Sequence, residues 1–278
     1  MTLSVVVPTK DRGESLPACL ERLKDAREII VSDDGEVSVQ PIVRRFSNVR
    51  WVQGPRRGPA ANRNNGARYA TGDWLAFVDD DCIPEQSWLV EMERAMADTD
   101  VIEGKTICPD RMNRFLEEVV ENLSGDLLWS CNLAIRRELF DALKGFDEDF
   151  LEAGGEDLEF AWRVRKKKLR VRFASQAIVQ HPARRVSLWK AIYRVFQIRW
   201  HLLYRLKTGY PACAAAQEIL DFLRVTVRTS LTHNRTKSQL FHLLLRWLLL
   251  PFWVPCLICW EIVFRRRLRS NNTRSRSS

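Results

Sequence analysis

Five apolar residues in a row, Trp74-Leu75-Ala76-Phe77-Val78, run directly into three consecutive aspartates, Asp79-Asp80-Asp81. An unbroken apolar run of this length suits a strand covered on both faces of a sheet. The triplet then sets negative charge at the carboxyl end of that strand. The pattern recurs upstream. Ser4 to Val7 is a short β-branched run ended by Pro8-Thr9, Ile29-Ile30-Val31 runs into the turn signal Asp33-Asp34-Gly35, and Val49 to Val52 makes another short strand. Between them, Leu16, Cys19, Leu20 and Leu23 recur at helical spacing within Ser15 to Lys24, and Asn62 to Ala70 suits a helix that Gly72 breaks. Strand and helix alternation predicts a doubly wound α/β sheet. In such sheets ligands bind beyond the carboxyl ends of the strands, where the polar clusters fall.

Several classes drop out on motif grounds. No GxGxxG follows the first strand and no GxxxxGK[ST] occurs, which excludes the dinucleotide and P-loop signatures. The seven cysteines are too few and too scattered for a disulfide scaffold. The CxxC of Cys256 and Cys259 lies in an apolar run without a second pair. The first strand leads into Thr9-Lys10-Asp11-Arg12 with no cleavage-like flank, so a signal peptide is not expected and the catalytic part is expected in the cytosol.

The net charge of +9 conceals a division. Residues 1–159 carry 19 Lys and Arg against 32 Asp and Glu, a balance of −13, whereas residues 160–278 carry 25 against 3, a balance of +22. Such asymmetry points to an anionic membrane or nucleic acid as partner of the second half. The apolar pattern favours the membrane. Leu188, Ile192, Val195, Phe196, Leu203 and Leu206 recur at helical spacing, with Lys190, Arg194, His201 and Arg205 on another face and Trp189 and Trp200 at the borders. That is the composition of a helix lying in a membrane interface, although packing on the protein's own core is the plainer alternative. Trp247 to Trp260 holds fourteen uncharged residues, interrupted by Pro251 and Pro255 and followed by Arg265-Arg266-Arg267. Fourteen falls short of the roughly 18 to 20 that span a bilayer. For residues 243–264 an interfacial or re-entrant segment on the cytoplasmic face is therefore expected over a span.

Two clusters can carry chemistry. Three adjacent carboxylates repel one another, and a cation is the simplest compensation; hard oxygen ligands favour Mg²⁺ or Mn²⁺, which also bind diphosphate oxygens. The second cluster is Gly154-Gly155-Glu156-Asp157, where paired carboxylates open a helix through Leu158, Phe160, Ala161 and Val164. They serve there either as helix-terminal charges or as a general base. His181 ends the strand predicted over Ala177 to Gln180.

Taken in order, Val5-Val6-Val7-Pro8-Thr9, Ile29 to Gly35, Gly58 to Gly66, Asp79-Asp80-Asp81 and Gly154 to Asp157 resemble the family 2 glycosyltransferases of GT-A fold. Asn132 to Arg137 and Gly145-Phe146-Asp147 resemble the acceptor-side half of that family, so the similarity covers about residues 1–182. The resemblance implies that Pro8 and Thr9 line the nucleotide pocket and that Asp34, or its neighbour Asp33, bonds the base. Gly58, Arg63, Asn64 and Gly66 match a stretch that borders the donor, with Asn62 standing where alanine is usual. Asp79 and Asp81 match the acidic positions of the DxD motif and the metal site, with Asp80 beside them on the donor. Asp157 matches the base of the ED motif, with Glu156 in support, and His181 matches a histidine that ligates the metal in some members. Trp129 and Asn132 are candidate donor or acceptor contacts.

These implications give a complete expectation. Residues 1–183 form a GT-A-type sheet flanked by helices, residues 184–269 a helical, basic and amphipathic membrane-associating region, and residues 270–278 a disordered tail. The activity is inverting transfer from a nucleotide sugar, UDP-sugars favoured, to a saccharide or lipid-linked acceptor with Mg²⁺ or Mn²⁺. The alternatives are a nucleotidyltransferase on a similar sheet, which leaves the Gly154 to Asp157 motif without a task, and a non-enzymatic binder of nucleic acid or an anionic surface. Nucleic acid is not expected as a partner, since no helix-turn-helix or zinc-finger pattern accompanies the charge.

Overall fold

The computed structural model describes residues 1–112, 116–209, 216, 219, 221, 244–245 and 247–274. The chain forms two compact units, one of Met1–Arg111 with Val119–Ala183, the other of Met112–Glu118 with Arg184–Ser278.

The first unit is built on one eight-stranded sheet. Its strands are β1 (Leu3–Thr9), β2 (Glu28–Asp33), β3 (Val49–Gln53), β4 (Trp74–Val78), β5 (Ile83–Pro84), β6 (Val101–Ile107), β8 (Asn132–Arg136) and β9 (Val171–Gln180); β7 (Glu117–Glu118) belongs to the other unit. Across the sheet the order is β3-β2-β1-β4-β8-β6-β9-β5. The first four strands are parallel, as the alternation predicts. Beyond β4 the sheet is mixed, because β8 runs antiparallel to both β4 and β6 while β9 returns parallel to β6. The expected α/β sheet flanked by helices is thus parallel in its first half and mixed in its second. β4 is buried at all five positions, as its composition requires.

Helices α1 (Leu16–Arg22), α2 (Gln40–Val43), α3 (Pro59–Tyr69), α4 (Trp88–Ala95), α5 (Arg137–Ala142) and α6 (Glu156–Lys166) complete this unit. Two apolar clusters divide along the alternation of the strands. Val5, Val7, Val31 and Ala76 pack with Leu16, Leu20, Trp88 and Met92, while Val6, Ile30 and Phe77 pack with Ala60, Phe140, Phe160 and Val164. Helices therefore cover both faces, as period-two alternation in a doubly covered strand demands. The aromatic knot of Phe77, Phe140, Phe146 and Phe160 has ring centroids 4.6 to 5.9 Å apart. It fixes α5 and α6 beneath the sheet's carboxyl edge.

In the second unit, β7 pairs antiparallel with β10 (Arg184–Arg185). The helix expected over Leu188 to Leu206 is two helices, α7 (Leu188–Phe196) and α8 (Ile198–Lys207), meeting at Gln197. The two differ in exposure. α7 leaves Leu188, Trp189 and Tyr193 in solvent, whereas α8 buries Ile198, Trp200, Leu202 and Leu203. Trp200, expected at a membrane border, instead stacks on Phe264 at 6.4 Å. The last helix, α9 (Leu250–Arg274), runs through Pro255. Pro251 costs little because it sits in the first turn. Helical backbone continues to Arg274, into the stretch expected as a disordered tail from 270, and residues 275–278 of that tail lie outside the described ones, as do 243 and 246 of the apolar segment. Among the described residues no helix is long and apolar enough to cross a membrane.

Candidate active site

Parallel pairing brings the polar strand ends to one edge. Thr9 lies opposite Asp33, and Val6 opposite Phe77, so Thr9 comes level with Asp80. The Thr9 hydroxyl donates to Asp80 Oδ2 at 2.7 Å. A turn closed by Cys82 N–H to Asp79 O, at 3.0 Å, fans the three carboxylates toward different partners. Asp79 accepts from Arg63 Nη2 at 2.8 Å, Asp80 is held by Thr9 and Arg12, and Asp81 faces Arg12 and His181.

His181 reaches this turn from a hundred residues away. Its N–H donates to Ile107 O at 2.8 Å, continuing the β6–β9 ladder, while Ile83 pairs with Gln180. These two pairings set the imidazole against the aspartate turn, with Nε2 3.8 Å from Asp81 Oδ1. Donor atoms of Asp81, Cys82 and His181 lie within 4.8 Å of one another. A carboxylate and an imidazole suit Mn²⁺ or Mg²⁺, and a guanidinium already sits on the same carboxylate, a stand-in for positive charge. These residues fit a divalent cation. Of the expected metal residues Asp79, Asp81 and His181, the last two lie in this group with Cys82, while Asp79 pairs with Arg63.

Arg63 is the buried cation of the site, its side chain 7% exposed. It links the two motifs, pairing with Asp79 and, at 3.4 Å through Nη1, with Glu156. Its guanidinium also lies 5.8 Å from the Phe146 ring centroid. The surrounding carboxylates Asp79, Asp157 and Glu156 hold its pKa up against the effect of burial.

Glu156 and Asp157 open α6 behind Gly155. Glu156 Oε2 accepts from the N–H groups of Gly154 and Gly155 at 2.9 and 3.1 Å, so this side chain fixes the glycine turn that precedes its helix while Oε1 faces Arg63. Asp157 is different. Its Oδ1 is enclosed and accepts no hydrogen bond from the described residues. Burial, then the neighbouring Glu156 carboxylate, push its pKa up to about 7, against the pull of Arg63. Desolvation of the charged form is the first cause.

Other expected site residues separate on their hydrogen bonds. Asp33 is spent: Oδ1 accepts from Gly35 N, and Oδ2 from Val39 N and Trp51 Nε1, all at 2.9 to 3.0 Å. Asp34 accepts from Arg56 N at 2.7 Å through Oδ1, and burial raises its pKa. Pro8 and Thr9 stand at the end of β1. Gly58 has φ +96°, and a Cβ there would lie 2.4 Å from Leu151 O, so it secures the entry to α3. Asn64 is occupied elsewhere. Its amide donates to Phe146 O and Glu148 Oε1 and accepts from Phe146 N, bolting α3 to the loop after α5. Asn62 donates to Thr9 O and Ser32 O, tying the ends of β1 and β2. Asn132 is likewise internal, bonded to Lys105 O, Ala177 O and Trp88 Nε1. Trp129 is partly buried and packs against the core.

Sequence reasoning missed Arg12 and Cys82. The only signal for Arg12 was a basic residue three positions after Thr9, and Cys82 read as an ordinary small core residue.

Comparison with known proteins follows the same outline. A family model described as Glycosyl transferase family 2 matches residues 4–143, and one described as N-terminal domain of galactosyltransferase matches residues 110–184. Glycosyltransferase AglE of Haloferax volcanii is 25% identical over 248 residues, 80% of this chain and 81% of its own length. Against several other relatives this chain spans less than half of their length. The mannosyltransferase PcManGT of Pyrobaculum calidifontis, solved with GDP-Man and Mn²⁺, superposes with a TM-score of 0.61 at 19% identity, covering 90% of this chain and 87% of that one. TarS 1–349 of S. aureus, solved with UDP, gives 0.54 at 21%, covering 73% and 66%.

Proposed function

The chain belongs to glycosyltransferase family 2, a glycosyltransferase with a GT-A fold, and from that premise we propose metal-dependent, inverting transfer of a sugar from a nucleotide sugar to a hydroxyl of a saccharide or lipid-linked acceptor. The observation that carries this reading is Arg63, which binds the Asp79–Asp81 turn and the Glu156–Asp157 helix start into one site. A nucleotidyltransferase has no use for the second of these.

On this reading Pro8, Thr9 and Asp34 receive the nucleoside, while the Asp33 carboxylate is engaged by Gly35, Val39 and Trp51. Asp81 and His181 would hold a divalent ion, with the Cys82 thiol alongside, and that ion would counter the charge on the departing diphosphate. Asp79 and Asp80 are kept in place by Arg63 and Thr9. Asp157 takes the proton of the acceptor hydroxyl. The oxygen then bonds the anomeric carbon opposite the leaving nucleoside diphosphate, the carbon–oxygen bond to the diphosphate breaks, and the configuration inverts. A carboxylate pKa raised to about 7 makes a stronger base than an ordinary aspartate.

The test is donor hydrolysis with UDP- and GDP-sugars, Mn²⁺ and Mg²⁺. Release of a nucleoside diphosphate from one donor, lost on chelation and in Asp81→Ala, is the expected result. The absence of both hydrolysis and calorimetric binding for every donor would overturn it.

Residues 1–183 act on this reading as the catalytic domain and 184–269 as the segment that holds it to the cytoplasmic face of an anionic membrane. Support comes from the balance of +22 after residue 159 and from Leu188, Trp189 and Tyr193, which are 49%, 79% and 46% exposed on α7. Exposed aromatics beside cations suit the lipid interface. Trp189→Ser is expected to reduce sedimentation with phosphatidylglycerol vesicles severalfold without changing binding to neutral ones. Equal sedimentation of variant and parent would remove α7 from this role.

A further inference from the structure

Arg12 occupies the position from which positive charge is supplied to the aspartate turn. It follows β1, and its Nη1 lies 2.7 Å from Asp81 Oδ2 and 3.1 Å from Asp80 Oδ1. Its side chain is 41% exposed, whereas those of Asp80 and Asp81 are 4% and 13% exposed. A solvent-facing guanidinium therefore caps two nearly buried carboxylates. The other oxygen of Asp81 faces His181, within the group that fits a divalent ion. Asp80 is fixed independently by the Thr9 hydroxyl, so its position does not depend on Arg12 alone.

We propose that Arg12 is a built-in competitor for the divalent cation, which must leave Asp81 before the ion is fully bound, and whose release couples metal binding to nucleotide binding. The proposal rests on the metal-dependent reading above. Its physical basis is charge. Asp81 cannot give both oxygens to an ion while Oδ2 holds the guanidinium, and two cations on one carboxylate repel. An ion arriving alone therefore spends binding free energy on displacing Arg12. An ion arriving with a nucleoside diphosphate brings the anion that the freed guanidinium can pair with. Metal and nucleotide should accordingly strengthen each other's binding, by the same factor in either direction.

The experiment measures free Mn²⁺ by electron paramagnetic resonance while titrating the native protein, Arg12→Gln and Arg12→Lys, alone and with UDP or GDP. Thermal melts verify that each variant is folded. Without nucleotide, Arg12→Gln is expected to bind Mn²⁺ on the order of threefold to tenfold more tightly than the native protein, the range for a partly exposed ion pair on nearly buried partners. Arg12→Lys, which keeps the charge, stays near the native value. With nucleotide the advantage of Arg12→Gln disappears. Equal or weaker Mn²⁺ binding by folded Arg12→Gln overturns the proposal while leaving the metal site standing. Absence of Mn²⁺ binding in every protein, with and without nucleotide, overturns both this proposal and the metal-dependent reading.

Discussion

Asp157→Asn is expected to bind donor as the native protein does while losing turnover by a factor on the order of 10² to 10⁴. The side chains are nearly isosteric, so the start of α6 and the Glu156 contact to Arg63 should persist. What disappears is the capacity to take a proton. Native turnover should also depend on pH through this group. Its pKa is raised to about 7 by burial and by Glu156, so the basic form is depleted as pH falls below that value. The kcat/KM of the native enzyme is expected to fall about tenfold per unit on the acid side of pH 7. Stability gives the opposite sign. A carboxyl whose folded-state pKa exceeds its unfolded value favours the folded state when protonated, and that contribution is lost as pH rises from about 4 toward 7. Asp157→Asn should therefore raise the thermal midpoint at pH 8 and change it less at pH 5. Retained turnover in the variant would take Asp157 out of the base role. A lowered midpoint at pH 8 would contradict the burial argument.

Arg63→Met should be among the most destabilising single changes in the first unit. It removes the one guanidinium shared by Asp79 and Glu156 and felt by Asp157. Breaking a buried ion pair from one side costs about 3–5 kcal/mol, because the partner charges remain without compensation. For a protein of this size that corresponds to a fall in thermal midpoint of about 10 °C. The loss is expected to be smaller near pH 5, where Asp157 is protonated and no longer calls on Arg63, than near pH 8. Combining Arg63→Met with Glu156→Gln should recover part of the loss, since the double variant buries one charge fewer. Strictly additive losses in that double-mutant cycle would mean that Arg63 and Glu156 do not interact and that Arg63 acts through Asp79 and its packing on Phe146.

Much of this fold was legible in the residues. β4 was read with its ends at Trp74 and Val78 because an apolar pentad between polar neighbours leaves no other reading. The parallel half followed from strand and helix alternation. The return through β8 did not, since antiparallel insertion depends on which strand edge is free after α4 and no local pattern in Asn132 to Arg136 states it. The break at Gln197 was equally hidden: apolar periodicity runs through it, and the two helices differ only in what covers them.

The site divides along the same line. Composition and order alone singled out Asp79-Asp80-Asp81, Asp33-Asp34 and Glu156-Asp157, because carboxylates after buried strands and at a glycine-led helix start are chemically conspicuous. The sequence could not say which partner each would take. Asp33 takes the Gly35, Val39 and Trp51 donors while Asp34 takes the Arg56 N–H, a difference that no local pattern states. Asn64 ties α3 to the loop after α5 through both backbone groups of Phe146. Arg12, His181 and Arg63 acquired their roles only through pairings 16 to 100 residues distant in the chain. Residue type sets what a side chain can do, and this the sequence determined. Hydrogen bonds and ion pairs act over a few ångströms, so what each side chain does here was decided only when the sheet brought its partners within reach.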